Sequence, residues 1–331
     1  MQRSKLEDVY SLSGKMSCKE MISKFKNFEK NWMKDRLEYG KYIDLFTGKV
    51  RSEIVYVREK CPLCFSKDFR FLFIKEGFDH MICNSCDMIF TLQVLDTKKI
   101  QYMAEGEEGD AYGDYKEDKT VNDLDRTKYE ITFEKLEQYT KIKNIFDMGS
   151  QSGTFLDWAS EKYDVIGHEY HIALRNRAVR KGHVVLCDNL ESIKLDREFD
   201  LITMWDYLDH VVNPHEVIKN ISKYLRKGGL FFFAINNLDS LVTRVLHQDS
   251  TIFSGPHHTM HYGIAQLKLL MKDYEFLHAE SYVSELNWIS NWLNFKNPAF
   301  GDAKLMYELL DPNKICELGM GFKVNAIFRK N

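Results

Sequence analysis

Apolar and polar positions between Asn144 and Ala159 predict a buried strand, a glycine turn and a helix. Ile145 and Phe146 supply the strand, Asp147 closes it, and Gly149 and Gly153 bracket the turn. Phe155, Leu156, Trp158 and Ala159 then recur at helical spacing. Tyr163–Glu169 reads as a second strand ending in a carboxylate, and Phe322–Phe328 as a late one. A helix near Ala265–Lys272, a strand near Phe276–Val283 and an N-terminal helix around Glu20–Leu37 complete the pattern. Near the N-terminal third, Phe69–Ile74 and His80–Ile82 are short apolar runs that read as strands.

The strand–turn–helix unit places bare backbone and a helix N-terminus at the carboxyl edge of a parallel sheet, where nucleotide-like ligands bind. A dinucleotide needs Gly-x-Gly-x-x-Gly, and here Gln151 and Thr154 occupy the second and third glycine positions. NAD and FAD are thereby disfavoured. An acidic residue before the turn can meet an ammonium group, and Glu169, 22 positions after Asp147, stands where a carboxylate grips ribose hydroxyls. Adenosine joined to a charged amino acid describes S-adenosylmethionine (SAM).

Five segments in order carry a family resemblance. Asp147–Gly153 is similar to the Asp/Glu-x-Gly-x-Gly-x-Gly loop of class I SAM-dependent methyltransferases, and Glu169 to their ribose-binding acid. Cys187-Asp188-Asn189-Leu190, after the strand His183–Leu186, resembles the adenine-side loop. Phe199–Val211 resembles the run at strand four, with Trp205 and Asp206 on the pocket wall, and Leu225–Asn236 resembles the Leu-Arg-Pro-Gly-Gly turn and fifth strand. The resemblance implies a doubly wound, mostly parallel, seven-stranded α/β sheet of Rossmann-like type, with a late strand antiparallel to the rest. It also implies SAM held by Asp147, Gly149, Ser150, Gln151, Gly153, Glu169, Asp188, Asn189, Trp205 and Asp206. The stretch Gly149–Leu156 is closest to the variant found in zinc-containing sugar C-methyltransferases. Two further readings of Gln151 stand beside this one: it fills space, or SAM binding has been lost.

Cys61, Cys64, Cys83 and Cys86 form Cys-x2-Cys–x18–Cys-x2-Cys, a spacing that reads as a structural zinc site closed by four thiolates. Disulfides and free core cysteines are the alternatives. Cys18, Cys187 and Cys316 are scattered, there is no signal peptide, and that pattern suits a reducing cytoplasm. The small ribbon has little core of its own, so metal would supply much of its folding energy.

Composition sets outer limits. The 331 residues are 44% hydrophobic and carry a net charge of −3. That suffices for a full core, shows no membrane span, and lacks the basic surface of a nucleic-acid binder. The expected organisation is a helical extension over 1–60, a zinc ribbon over 61–100, an acidic tyrosine-rich connector over 101–139, and the SAM-binding core over 140–331. An acceptor-side insertion occupies about 237–265.

Chemistry beyond cofactor binding calls for a base if the acceptor is a hydroxyl or carbon acid. Gly255-Pro-His-His-Thr-Met-His-Tyr262 resembles the family's His-x-His-Leu-x-Tyr segment, which puts His258 on its second histidine, with His261 behind it and His257 where the sugar enzymes carry glutamate. His210 is the other candidate, set against the reading of a helix-start residue bonded to backbone. Tyr112 and Tyr115 match a segment that related enzymes fold over the active site, set against a solvated charged loop. The aromatic segment Trp288–Phe295 reads as core or as a homodimer contact. The expected activity is methyl transfer to a small molecule, most closely a sugar, nucleotide-linked sugar or related precursor of cell surfaces or natural products. An RNA-base methyltransferase and a catalytically silent binding protein are the alternatives.

Overall fold

The computed structural model describes residues 40–96, 119–187, 190, 193–282, 289 and 309–331. The expected helix at Glu20–Leu37, Tyr112, Tyr115, Asp188, Asn189 and all of the aromatic segment except Ile289 lie outside them. Ile289 is buried. Residues 40–54 form 3-10 turns and a single bridge between Ile43 and Val50. Five short strands follow: β1 (Val55–Val57), β2 (Phe69–Lys75), β3 (Phe78–Cys83), β4 (Ile89–Thr91) and β5 (Gln93–Leu95). β1 and β5 pair antiparallel, and β2, β3 and β4 form an antiparallel meander.

Helix α1 (Lys119–Leu136) leads into an alternating run: β6 (Asn144–Met148), α2 (Thr154–Ala159), β7 (Asp164–His168), α3 (Ile172–Arg180), β8 (Val185–Leu186) and β9 (Phe199–Trp205). Next come α4 (Pro214–Ile221), β10 (Leu225–Asn236), α5 (Leu241–Leu246), β11 (Met260–His261), α6 (Ile264–Leu270) and β12 (Glu275–Tyr282). Helix α7 (Pro312–Glu317) and β13 (Lys323–Arg329) close the chain. Seven strands form one sheet in the order β12-β13-β10-β9-β6-β7-β8. β6 runs parallel to β7 and β9, and β9 to β10, while β13 is antiparallel to both its neighbours. This is the expected doubly wound sheet with its reversed late strand.

The central strands are mostly apolar because helices cover both faces, and β10 is unbroken from Leu230 to Ile235. Along β10, Phe231, Phe233 and Ile235 join one core with Phe146, Met148 and Met204. Phe232 and Ala234 point to the opposite face and join Ile145, Leu201 and Trp205. That is the two-residue alternation of a strand buried on both sides. Local signals start the helices: Pro214 opens α4, and the Ser240 hydroxyl caps α5 by accepting from the Thr243 N–H at 3.1 Å.

Two boundaries differ from expectation. Helix α1 falls in the stretch read as connector, yet Tyr129 and Phe133 are buried against Phe155, Trp158 and Trp205, so it is part of the core. Its polar composition hid this. The cysteine unit is not separate either: Cys61, Leu63, Cys83, Met88 and Phe90 share one core with Phe146, Leu208 and Phe231. Its sheet takes a fourth strand from the insertion, since β11 pairs with β4 through Met260–Phe90 and His261–Ile89. No described helix is long and apolar enough to cross a membrane.

Candidate active site and metal centre

The turn after β6 enters left-handed backbone three times, at Gly149 (φ +75°), Gln151 (φ +51°) and Gly153 (φ +86°). Gln151 keeps the loop's path without the middle glycine, at a cost of about 1–2 kcal/mol for an L-residue. Its backbone N–H donates to Glu169 Oε2 at 2.9 Å, and the His171 N–H donates to Oε1 at 2.8 Å. The Glu169 carboxylate, at the end of β7, is therefore fixed against the turn, and each oxygen keeps a lone pair for a ligand hydroxyl. Burial raises its pKa while these N–H groups lower it.

Asp147, at the end of β6, is 1% exposed, and its Oδ1 accepts from the Thr203 hydroxyl at 2.7 Å. Burial pushes its pKa up to about 8, with Glu169 adding to the rise. Ionisation there calls for a cation. It lines a pocket with Gly149, Gln151, Trp205, Asp206 and Lys128 of α1. Lys128 is buried, its Nζ 2.7 Å from Asp125 Oδ1 and 5.1 Å from the ring centres of both Tyr129 and Trp205. Ser150 Oγ and Trp205 Nε1 are buried on this wall without a protein partner. A carboxyl, an ammonium and two orphaned polar groups around one pocket suit the zwitterionic end of an amino acid.

A second cleft of about 330 Å³ is lined by Tyr170, Leu190, Tyr207, His210 and residues of α4. The Tyr207 ring lies on the glycine turn: a Cβ at Gly149 would stand 2.5 Å from Tyr207 Cδ2. An aromatic cleft beside a ribose-gripping carboxylate suits a nucleoside base.

On the far side of Trp205, Asp206 adopts φ +49° and pairs with Lys323 of β13 at 2.6 Å. The ring of His258 lies 4.8 Å from that of His210. His258 Nδ1 sits 2.8 Å from the Ile252 carbonyl oxygen. That acceptor requires the N–H on Nδ1, which leaves Nε2 with its lone pair. Burial holds the His258 pKa down to about 4, so the ring is neutral at pH 7. His210 ends the 3-10 turn Leu208–His210 and does not start a helix. His261 is elsewhere. It is 4% exposed, stacks on His80 at 5.4 Å, and its buried Nε2 has no partner. It faces the cysteine-bearing sheet because β11 is a strand of that sheet, so the geometry does not support it as a base.

The four cysteine sulfurs lie within 4.8 Å of one another, with Cys61–Cys86 at 3.7 Å and Cys64–Cys83 at 3.5 Å. A zinc–thiolate tetrahedron with bonds of about 2.3 Å has edges of about 3.8 Å, so the donor set and spacing fit zinc. Cys316 is buried and Cys187 exposed, both outside this cluster.

Lys128, Tyr207 and Lys323 escaped sequence reading. Asp125 and Lys128, three apart, look like a solvated helix pair, and Lys323 looks like one polar position of an edge strand. Only the folded sheet brings them to Trp205.

Residues 121–278 match the family model described as a methyltransferase domain. A ubiquinone biosynthesis O-methyltransferase of Coxiella burnetii is 29% identical over 106 residues, which span 29% of this chain and 45% of that enzyme. Among solved structures, an S-adenosylmethionine-dependent methyltransferase from Clostridium acetobutylicum aligns at 12% identity and TM-score 0.41, covering 61% of this chain and 89% of that one. The plantazolicin methyltransferase BpumL in complex with SAH aligns at 12% identity and TM-score 0.45, covering 70% and 93%. The strand order carries the fold assignment independently of these distant likenesses. Residues 121–278 therefore carry a methyltransferase domain, and the strand order with its reversed late strand is that of the class I SAM-dependent methyltransferase fold.

Proposed function

We propose that this chain transfers a methyl group from SAM to a hydroxyl-bearing small molecule, with a sugar or nucleotide-linked sugar as the acceptor. When bound, SAM supplies a sulfonium-activated methyl carbon for in-line displacement. The chain's own residues then have distinct tasks. Glu169 would hold the ribose hydroxyls, and Asp147 and Lys128 the ammonium and carboxylate of the amino-acid end. Tyr170 and Tyr207 would flank the base. His258 Nε2 would accept the acceptor's proton, and positioning would supply much of the remaining acceleration. Zinc, held by Cys61, Cys64, Cys83 and Cys86, would be structural, because four thiolates leave no open coordination position.

The observation that carries this reading is the pairing of a glycine turn with two carboxylates, the buried Asp147 and the part-buried Glu169, at the ends of adjacent strands. The acceptor class rests on resemblance alone. A second reading, a phenolic acceptor, is favoured by the O-methyltransferase named among the relatives, which this chain matches over less than half its length. The test is calorimetric titration of the zinc-loaded protein with S-adenosylhomocysteine (SAH). Saturable binding that disappears in Glu169→Ala is expected, and absence of binding in a folded sample refutes the reading. Turnover against nucleotide sugars and catechols then separates the two acceptor classes.

A further inference from the structure

The loop that carries His258 leans on the cysteine-bearing sheet on one side. On the other, the Thr259 N–H donates to the Asp209 carbonyl at 3.0 Å, and Ile252 and Phe253 pack with Val242 and Leu246. At its start, Lys75 Nζ donates to the Ser250 carbonyl at 2.7 Å, and the Ser254 hydroxyl donates to Glu76 Oε2 at 3.3 Å. Lys75 and Glu76 belong to the β2–β3 hairpin. Gly255 lies flat on β3, since a Cβ there would stand 2.4 Å from Phe78 Cδ2. At the loop's end, the Thr91 N–H donates to the Thr259 carbonyl at 3.1 Å, and β11 continues the pairing with β4. Phe253 packs edge-on against Phe73 and His80, at 5.0 and 5.7 Å.

The metal ligands sit at the root of these supports. Cys83 is the last residue of β3, and Cys86 lies three residues before the start of β4. Closing the four thiols around a metal therefore pins the β3–β4 hairpin whose outer edge holds β11. The same unit reaches the opposite wall of the site. Arg58 Nη1 donates to the Val212 carbonyl at 3.1 Å, and His215 Nε2 lies 2.7 Å from the Leu63 carbonyl oxygen. The Gln266 amide donates to the Cys86 carbonyl at 3.0 Å. By contrast, Asp147, the glycine turn and Glu169 are bonded within β6, β7 and β9.

We propose that the cysteine-bearing sheet is the platform that positions His258, with Lys75, Phe78 and Thr91 as positioning residues, so that the metal governs the acceptor half of the site more than the Asp147–Glu169 part of the cofactor half. The proposal rests on the reading of His258 as proton acceptor. The metal acts here through strand pairing alone. An edge strand of two residues has little stability of its own and depends on its partner.

The test uses the full chain, with zinc bound, stripped of zinc by chelation, and as a zinc-loaded Gly255→Ala variant. Hydrogen exchange over 250–262, the His258 tautomer by nitrogen-15 NMR, and SAH affinity are read on each. Removing zinc is expected to speed exchange over 250–262 by about tenfold or more and to turn His258 from the Nδ1–H form into a mixture, with SAH affinity falling far less than in Glu169→Ala. Gly255→Ala should do the same while keeping its zinc, which decides the matter if the stripped protein unfolds. Unchanged exchange and tautomer in Gly255→Ala overturn the proposal. So does a folded zinc-free protein whose SAH affinity is lost together with the loop. Failure of the wild type to bind SAH would instead refute the cofactor reading, and the exchange measurement would still stand.

Discussion

Lys128→Met is the most demanding test of the amino-acid subsite. The ammonium lies 2.7 Å from Asp125 and about 5 Å from two aromatic rings, on the pocket wall that also presents Asp147. A charge-assisted hydrogen bond between buried ionised groups contributes about 1.5–3 kcal/mol. At about 1.4 kcal/mol per decade, its loss weakens binding by about 10- to 150-fold, with about thirtyfold as the central expectation. Methionine keeps an unbranched stem against Trp205, so packing changes little. The substitution removes the ammonium beside Asp125, which is buried. Lys128→Met is therefore paired with Asp125→Asn, so that both charges of the pair are removed together.

The assay is calorimetric titration with two ligands, SAH and the SAH analogue lacking the α-carboxylate. Wild-type protein should prefer SAH by about thirtyfold, and the double variant should bind both alike, by loss of SAH affinity alone. The ratio separates the carboxylate contact from general damage, because a loosened pocket weakens both ligands together. An intact preference in the variant, or equal losses for the two ligands, refutes the assignment of Lys128.

Gly149→Ala places a Cβ 2.5 Å from Tyr207 at φ +75°, so SAH affinity should fall by more than about tenfold, together with a stability loss of about 1–2 kcal/mol or more. His258→Gln should lower turnover on the true acceptor by about 100- to 10,000-fold without moving SAH affinity. Because burial holds its pKa down to about 4, the acid limb of the turnover profile should lie well below pH 6, and a limb near the ordinary histidine value would remove His258 as the base. Asp147, raised to about 8 by burial, is protonated at pH 7 without ligand, and the SAH ammonium favours its ionised form. Binding at pH 7 should thus release close to one proton, seen as a binding enthalpy that depends on the buffer's heat of ionisation. The same group makes the ligand-free fold less stable as pH rises from its ordinary 3.8 towards about 8, because the unfolded chain has already lost that proton.

What the sequence displays and what it hides divide along chain distance. Asp147, the glycine turn and Glu169 lie within 23 consecutive residues, and the roles proposed for them follow from one strand–turn–helix unit plus the strand after it. The four cysteines were equally legible because thiolate spacing is a local constraint on metal geometry. Lys128 and Lys323 were not. Their significance depends on Trp205 and Asp206, 77 and 117 positions away, and on a sheet order that brings α1 and β13 to the same strand end. His261 misled for the same reason. Three histidines within five positions look like one cluster, but Met260 and His261 pair with β4, which turns His261 into the sheet interface while His258 stays in the loop before the strand.

The same division explains how the two halves of the site can change independently. The cofactor half is built from strand ends of one sheet, whose register is fixed by strands buried on both faces. A one-residue slip would drive Phe231 and Phe233 into the core that Phe232 fills, and close packing on both faces strongly disfavours it. The acceptor half is built from a loop laid over a separate small sheet, so its shape follows how that sheet is held. Lengthening the β2–β3 hairpin or altering Phe78 would move His258 relative to the methyl-donor pocket without touching Asp147 or Glu169. Changes in acceptor preference should therefore map to residues 69–91 and 250–262, while substitutions in the 147–169 stretch should alter affinity for SAH and leave the ranking of acceptors unchanged. A scan of variants in both regions against a fixed acceptor panel would distinguish this arrangement from one in which the cofactor loop itself selects the acceptor.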